Sequence, residues 1–193
     1  MRIVFGVVMA AALLSGCSIK HDVVKDYPQY LAGNQGEARL PSTRAASTWA
    51  MTPATQAHRY EFRSAMAGAA NVWVVEFGKM LDDTLRSADV QNAFGSLVRA
   101  DGAAGTGGKL VFDLQSYTYA ELGAHVVLKV GYERDGTEVF NKVYMADGTT
   151  QGGKMFWGGA FAMKNAVQQS SKLALDTILR QLIDDLNARD GGR

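Results

Sequence analysis

The chain has 193 residues, 20 Lys+Arg against 19 Asp+Glu, one cysteine and 47% hydrophobic residues, which suits one domain with a sizeable core. This composition excludes collagen-like and wholly disordered chains. A net charge of +1 gives no basic surface for nucleic acid, and a single cysteine excludes an internal disulfide and a multi-thiolate zinc site.

Residues 1–16 are predicted to be a secretory signal peptide. Arg2 is the only charged residue before Lys20, and an apolar run spans residues 3–14. A positive start followed by an apolar stretch is typical of such signals. A helix of this run is about 18 Å long, too short for the roughly 30 Å hydrocarbon core of a bilayer.

The residues that end this segment, Leu14-Ser15-Gly16-Cys17, resemble a bacterial lipobox. The resemblance implies cleavage between Gly16 and Cys17, a thioether-linked diacylglycerol on Cys17, and an acyl chain such as palmitate on the new amino terminus. Each buried CH₂ contributes about 0.8 kcal/mol, so two or three chains make a stable membrane anchor. In sorted Gram-negative lipoproteins, an Asp directly after the lipidated cysteine prevents delivery to the outer membrane. Ser18 occupies that position here, so the resemblance favours the outer membrane. The alternative is an incidental thiol beside a conventional signal.

Residues 17–57 are predicted to be the lipidated amino terminus followed by an extended tether. All three prolines, Pro28, Pro41 and Pro53, lie there among Ser, Thr, Ala, Gln and Gly, without a sustained apolar period. Such a composition is typical of a linker. Segment 23–31 contains enough apolar and aromatic residues to dock as an edge strand instead.

Residues 58–190 are predicted to form a single periplasmic domain. Alternation over 58–64 indicates a strand, and apolar residues at steps of three and four over 68–86 indicate a helix that carries Trp73. A short apolar piece over 90–98 ends in a strand near 96–99. The glycine-rich segment 101–108 is then expected to be a turn.

Three strands and a helix complete the prediction. Strands over 109–119 and 124–134 alternate, Asp135-Gly136 is a strong hairpin-turn signal, and 138–145 returns as the third strand. A closing helix spans about 163–188, with Lys172, Arg180 and Asp184 expected outside. Its inward residues are Val167, Leu175, Ile178, Leu179, Leu182 and Leu186. The predicted fold class is α+β, a curved antiparallel sheet of about four strands with two long helices on one face.

This pattern resembles the auxiliary lipoproteins of ABC-type lipid transporters. The resemblance lies in a strand, a helix with Trp73, Leu81 and Leu85, then Phe94 and a short strand, the Asp135-Gly136 hairpin and a closing amphipathic helix. It is similar to the PqiC type and to the small YajG-like outer-membrane lipoproteins. The resemblance implies a non-enzymatic periplasmic part of a system that moves lipids or other hydrophobic molecules between membranes.

No catalytic motif is found, so we expect no enzyme, no metal and no cofactor. His21, His58 and His125 share no metal-ligand spacing. The pairs Asp82-Asp83 and Asp184-Asp185 are adjacent on predicted helices, where solvated surfaces are expected. The glycines of 101–108 precede a strand, whereas a phosphate site needs them before a helix.

The segment Met155-Phe156-Trp157 lies in the glycine-rich stretch 148–161, which is predicted to be a flexible loop before the last helix. Trp and Phe bury large areas with few rotatable bonds, so this segment is a candidate contact for a partner protein or an acyl chain. The alternative is that it caps the core. Tyr117 and Tyr119 either extend this surface or pack under the tether.

The leading hypothesis is an outer-membrane lipoprotein that faces the periplasm, binds the membrane through its anchor, and serves as an auxiliary or docking subunit of an envelope transport system with a protein partner. The alternative is a structural lipoprotein that stabilises an outer-membrane assembly without transport. A third hypothesis is direct lipid binding between the helices and the sheet.

Overall fold

A computed structural model describes residues 18–64, 68, 70–100, 108–150 and 155–190, without the side chains of 155–160 and 190. Within these ranges the chain forms eight strands and five helices of a mixed α+β fold. In chain order they are β1 (Ile19–Asp22), α1 (Tyr27–Gly33), β2 (Thr48–Met51), α2 (Pro53–Ala57), β3 (Arg59–Phe62), β4 (Asn71–Glu76), α3 (Phe77–Arg86), α4 (Ala88–Phe94), β5 (Val98–Arg99), β6 (Gly108–Ala120), β7 (Gly123–Arg134), β8 (Thr137–Thr149) and α5 (Met155–Asp190).

The strands form two sheets. In the three-stranded sheet, β4 lies between β1, which is parallel to it, and β3, which is antiparallel. In the five-stranded sheet the order is β5-β2-β6-β7-β8, with β2 parallel to β5 and β6, and with β6, β7 and β8 antiparallel. The prediction of one antiparallel sheet of about four strands is therefore wrong. Short parallel strands far apart in sequence have no turn between them that would reveal their pairing.

The hairpin of β7 and β8 is confirmed. Its turn residues, Asp135 and Gly136, have φ values of 52° and 77°, as a type I′ turn requires. The long closing helix is also present, since α5 packs on β7 and β8. All six residues predicted to face inward on this helix are buried in the hydrophobic core.

Residues 71–76, predicted to belong to a helix over 68–86, form strand β4, and only 77–86 are helical. Trp73 and its neighbours Val72, Val74 and Val75 are all buried. A strand buried on both faces shows a continuous apolar run instead of alternation, and such a run is easily read as one side of a helix. The predicted pair of long helices is therefore reduced to α5 and the short α3.

Residues 18–57, predicted to be an extended tether, belong to the folded domain. They supply one strand to each sheet, β1 and β2, together with α1 and α2. Tyr27 and Trp49 are fully buried. Two prolines lie in the first turn of a helix: Pro28 is the second residue of α1 and Pro53 is the first residue of α2. At these positions the missing N–H removes no helical hydrogen bond.

The last helix starts earlier than predicted. β8 extends to Thr149 and α5 begins at Met155, so the stretch 148–161 is not one loop. Lys172, expected outside, is buried. It lies three residues before Leu175 and seven before Leu179, a spacing that places it on the inward face. Of the predicted glycine-rich turn at 101–108, Gly108 begins β6 and residues 101–107 lie outside the described residues.

Candidate functional site

An aromatic seam joins the two sheets. We use this name for Tyr60 and Phe62 of β3, Trp73 of β4, and Tyr117 and Tyr119 of β6. The ring centroids are 5.6 Å apart for Phe62–Trp73, 4.9 Å for Phe62–Tyr119 and 5.5 Å for Tyr60–Tyr117. Aromatic pairs are favourable at such separations, so the seam fixes the small sheet onto the large one.

A β-bulge in β6 turns the two tyrosines of the seam inward. The pairing of β6 with β7 shifts register between Leu114 and Ser116. Before the bulge the even-numbered side chains, such as Phe112, face the core. After the extra residue the odd-numbered Tyr117 and Tyr119 face the core, and both are buried. The sequence interpretation assumed uninterrupted alternation and therefore left their environment open.

Two buried polar atoms of the seam, Trp73 Nε1 and Tyr119 Oη, have no hydrogen-bond partner within the described part of the chain. The Thr150 hydroxyl lies beside Tyr119 and donates to the Leu122 carbonyl at 2.7 Å, which leaves its oxygen able to accept from the phenol. Burial raises the pKa of Tyr119 to about 12, so the phenol keeps its proton at neutral pH. Tyr119 is therefore a buried, protonated phenol beside the Thr150 hydroxyl.

A cavity of about 340 Å³ lies where Tyr119 ends the seam. Its apolar walls are Phe62, Tyr119, Leu122 and Met163. Arg63, Ser64 and Glu121 also line the cavity, and Arg63 and Glu121 are exposed. The volume is at the lower end of the range for small-molecule pockets, roughly 300–1,000 Å³.

The cavity lies at the end of the molecule where β1 begins. His21, Trp73 and Phe62 are side by side across the three-stranded sheet. Ile19 precedes His21 by two residues on β1, and the cavity-lining Ser64 follows Phe62 by two residues on the antiparallel β3. Ile19 and Ser64 are therefore at the same end of the sheet, which we call the amino-terminal pole.

Two large apolar side chains are exposed at the amino-terminal pole. Ile19 is 55% exposed. Phe161, which is 79% exposed, lies on α5 two residues before the cavity-lining Met163. Exposed apolar groups beside a cavity are typical of a surface that contacts lipid or another protein.

The predicted lipidation and cleavage residues, Cys17 and Gly16, lie outside the described residues. The backbone of Met155, Phe156 and Trp157 forms the first turn of α5, but their side chains lie outside the description. The flexible loop expected there is wrong, whereas their role as a contact stays a prediction.

A charged cleft of about 310 Å³ separates α1 and α3 from α5. In it, Lys172 Nζ and Asp176 Oδ2 form a buried ion pair at 2.6 Å. Burial, with the neighbouring Asp82 carboxylate, raises the pKa of Asp83 to about 6. The sequence interpretation missed the ion pair, although its i, i+4 spacing next to buried leucines was a usable signal.

Strand β8 is an edge of the five-stranded sheet, with its outer edge unpaired among the described residues. Val139, Val143 and Met145 are exposed on its outer face. A long edge strand with exposed β-branched residues can accept a strand from another chain. This edge is a second candidate contact surface.

The histidines support structure in the described residues. His21 Nε2 is 2.7 Å from Asn71 Oδ1, and His125 Nδ1 is 2.7 Å from Asp147 Oδ1. Burial lowers the pKa of His58, which packs on Phe77.

Across the ranges that the structure covers, no three acidic, histidine or cysteine residues are grouped as metal ligands. No helix of those ranges is long and apolar enough to cross a bilayer.

Neither a family model nor a curated protein matches the sequence. Among solved structures, a Xanthomonas campestris protein of family DUF330 matches with a TM-score of 0.50 and 12% identity, covering 80% of this chain and 91% of that one. A candidate lipoprotein of Caulobacter crescentus has a TM-score of 0.35 and 16% identity, covering 60% and 80%. A Chlamydia trachomatis protein has a TM-score of 0.36 and 12% identity, covering 74% and 96%. The likeness to the Xanthomonas protein shows a shared fold.

Proposed function

We propose that this chain is an outer-membrane lipoprotein, anchored through acyl chains on Cys17, that serves as a non-enzymatic auxiliary or docking subunit of an envelope transport system. One observation carries the proposal: β1 begins at Ile19, two residues after Cys17. Two residues span at most about 7 Å. An acylated Cys17 therefore holds the amino-terminal pole against the membrane surface.

The chemistry of the pole supports this orientation. Ile19 and Phe161, the exposed apolar residues there, gain free energy when they enter the lipid interface. The domain then meets the membrane directly, without the spacer that the sequence led us to expect.

The edge of β8 supports a docking role. Its exposed valines and Met145 offer a partner protein both backbone hydrogen bonds and apolar contacts. The transport role itself follows from the resemblance to auxiliary lipoproteins of ABC-type transporters. A structural lipoprotein that stabilises an envelope assembly would use the same anchor and edge, so the identity of the partner separates the two.

The anchor is tested with a labelled fatty acid and membrane fractionation. The native chain should be labelled and recovered with the outer membrane. Cys17→Ala should accumulate as an unlabelled precursor, and Ser18→Asp should be labelled but retained in the inner membrane. Normal processing and labelling of Cys17→Ala would refute the anchor.

The docking role is tested by placing a photo-reactive amino acid at Val143 of β8 in intact envelopes, with Glu121 as the control position at the amino-terminal pole. Cross-links from position 143 to transporter or lipid-shuttling subunits, identified by mass spectrometry, are expected. Cross-links only to an outer-membrane protein or the cell wall would replace the transport role by the structural one.

A further inference from the structure

We propose that the free edge of β8 binds one extended strand of a different protein, a segment with apolar side chains at two alternate positions and a basic side chain at the next alternate position. The inference rests on the proposed function, because the anchor on Cys17 decides between a second copy of this chain and another protein. It adds to that function the kind of segment that the docking edge accepts.

The first argument is the length of the unprotected edge. From Phe140 to Thr149, β8 keeps one unbroken register with β7, and its other edge has no pairing among the described residues. This stretch contains no proline, and its single lysine, Lys142, is held by Asp185 of α5 at 2.6 Å. Natural proteins normally block an edge with a proline, a bulge or a free charge. An edge of this length without these devices is therefore expected to be covered by another strand.

The second argument is the pattern of side chains beside the edge. Alternate residues on the outer face of β8 are all exposed, namely Asn141, Val143, Met145 and Asp147. A strand added at this edge places its own side chains directly opposite, with Cβ atoms about 4.5–5.5 Å away. Apolar side chains therefore fit opposite Val143 and Met145. A lysine or arginine fits opposite Asp147, whose side chain is 70% exposed.

The third argument is position, which excludes a second copy. β8 ends at Thr149, opposite Gly123 and next to the amino-terminal pole, and it begins beside the hairpin turn at the other end. Two identical chains that form a closed pair through the same edge are related by a twofold axis, so their strands run antiparallel. The second amino-terminal pole would then lie at the level of the first hairpin turn, about 40 Å away along the 13 residues of β8. Both anchors cannot reach one membrane in this arrangement, so the edge is open to a different protein.

The test uses the full acylated chain in vesicles of phosphatidylethanolamine and phosphatidylcholine, with protein-free vesicles as the background. Two fluorescent peptides present lysine, valine, valine and threonine at alternate positions, with threonine between them. The order is reversed in the second peptide, so that parallel and antiparallel pairing are both covered. Fluorescence anisotropy should show saturable binding of one of them. No saturable binding of either peptide up to about 1 mM overturns the proposal.

Backbone pairing is tested on the peptide, which leaves the protein unchanged. N-methylation of alternate residues removes the hydrogen-bond donors from one edge of the peptide strand. Methylation of the edge that faces β8 should weaken binding about tenfold or more, and methylation of the other edge should change it less than about twofold. Equal effects of the two methylated sets overturn the strand addition.

The register is tested by exchanging charges. A peptide with glutamate in place of lysine should bind the native chain about threefold more weakly, a factor that one exposed ion pair can supply. Asp147→Lys should reverse this preference. Asp113→Lys is the control, since Asp113 lies on the same face of the sheet but two strands from the edge, and it should leave the preference unchanged. An unchanged preference in Asp147→Lys overturns the proposed pairing.

The exclusion of a second copy is tested with Val143→Cys and Met145→Cys chains, mixed in the same vesicles under mild oxidation. These positions are directly opposite when two β8 strands pair about Tyr144. No disulfide between the chains is expected, whereas Val143→Cys should link to a bound peptide that carries cysteine at the facing valine. A disulfide between anchored chains overturns the proposal.

A final arm separates this inference from the anchor. Peptide binding by the full-length Cys17→Ala chain supports the strand addition even where acylation of the native chain has failed. Absence of peptide binding while the native chain is acylated overturns the strand inference alone.

Discussion

The buried ion pair of α5 gives a prediction of defined size. Lys172 and Asp176 are 3% and 6% exposed, with 2.6 Å between Nζ and Oδ2. Lys172→Met leaves the carboxylate without its counter-ion, which costs about 3–5 kcal/mol in a buried site. Because both residues also line the cleft of about 310 Å³, which water can enter, we expect about 3 kcal/mol, at the lower end.

Urea unfolding at pH 7 measures this loss, and thermal unfolding should show a fall of about 6–12 °C for a domain of this size. The double variant Lys172→Met/Asp176→Leu should recover most of it, since no charge is left buried. Burial raises the pKa of Asp176. The unpaired carboxylate of Lys172→Met therefore takes up a proton as the pH falls, and the loss should be smaller at pH 5 than at pH 7.

The matched control is Lys142→Met. Lys142 Nζ is also 2.6 Å from its partner, Asp185 Oδ2, but the two side chains are 51% and 31% exposed. Such a pair contributes at most about 1 kcal/mol. If Lys172→Met costs no more than Lys142→Met, or if the double variant is as unstable as the single one, the argument from burial is refuted.

Three further substitutions test other parts of the structure by urea unfolding. Burial raises the pKa of Asp83 to about 6, so its ionised carboxylate opposes folding increasingly as the pH rises from about 4 to 6. Above pH 6, Asp83→Asn should therefore be about 1 kcal/mol more stable than the native chain. Gly148→Ala should cost at least about 3 kcal/mol, because its Cβ would lie 1.7 Å from the Ser170 carbonyl oxygen. Gly136→Ala should cost about 1 kcal/mol, because φ is 77° in open space.

Two of these substitutions have a matched control. Asp82→Asn should not stabilise the protein, because Asp82 pairs with Arg86 and Arg99; equal effects at 82 and 83 would contradict the burial argument. Gly33→Ala adds a Cβ with nothing within 4 Å and should be neutral or slightly stabilising. Gly148→Ala as mild as Gly33→Ala would contradict the close approach of β8 to α5.

The antiparallel half of the fold could be predicted from sequence because each of its strands has one buried face. Alternation in β7 and the Asp135-Gly136 turn are local signals, and both elements appear as predicted. β4 could not be identified in this way. Its residues Val72–Val75 are buried in both orientations, so the period of two is absent.

The amino-terminal region and the candidate site depend on long-range contacts that no local pattern reports. Four-residue strands such as β2 are specified by their parallel neighbours. The bulge at Leu114/Ser116 reverses the faces of β6 and buries Tyr119. The position of the Tyr119 hydroxyl beside Thr150 is visible only when the neighbouring strands are in place.

β1 and β2 each pair in parallel with a strand much later in the chain, and this pairing determines the order in which the protein can fold. β1 pairs with β4 and β2 with β6, partners roughly 50 and 60 residues later in the chain. During synthesis the amino-terminal segment emerges first, yet β2 lacks its central neighbour until residue 112 has been made. Such distant contacts slow folding to about milliseconds to seconds. The described domain therefore forms late, after most of the chain has been made.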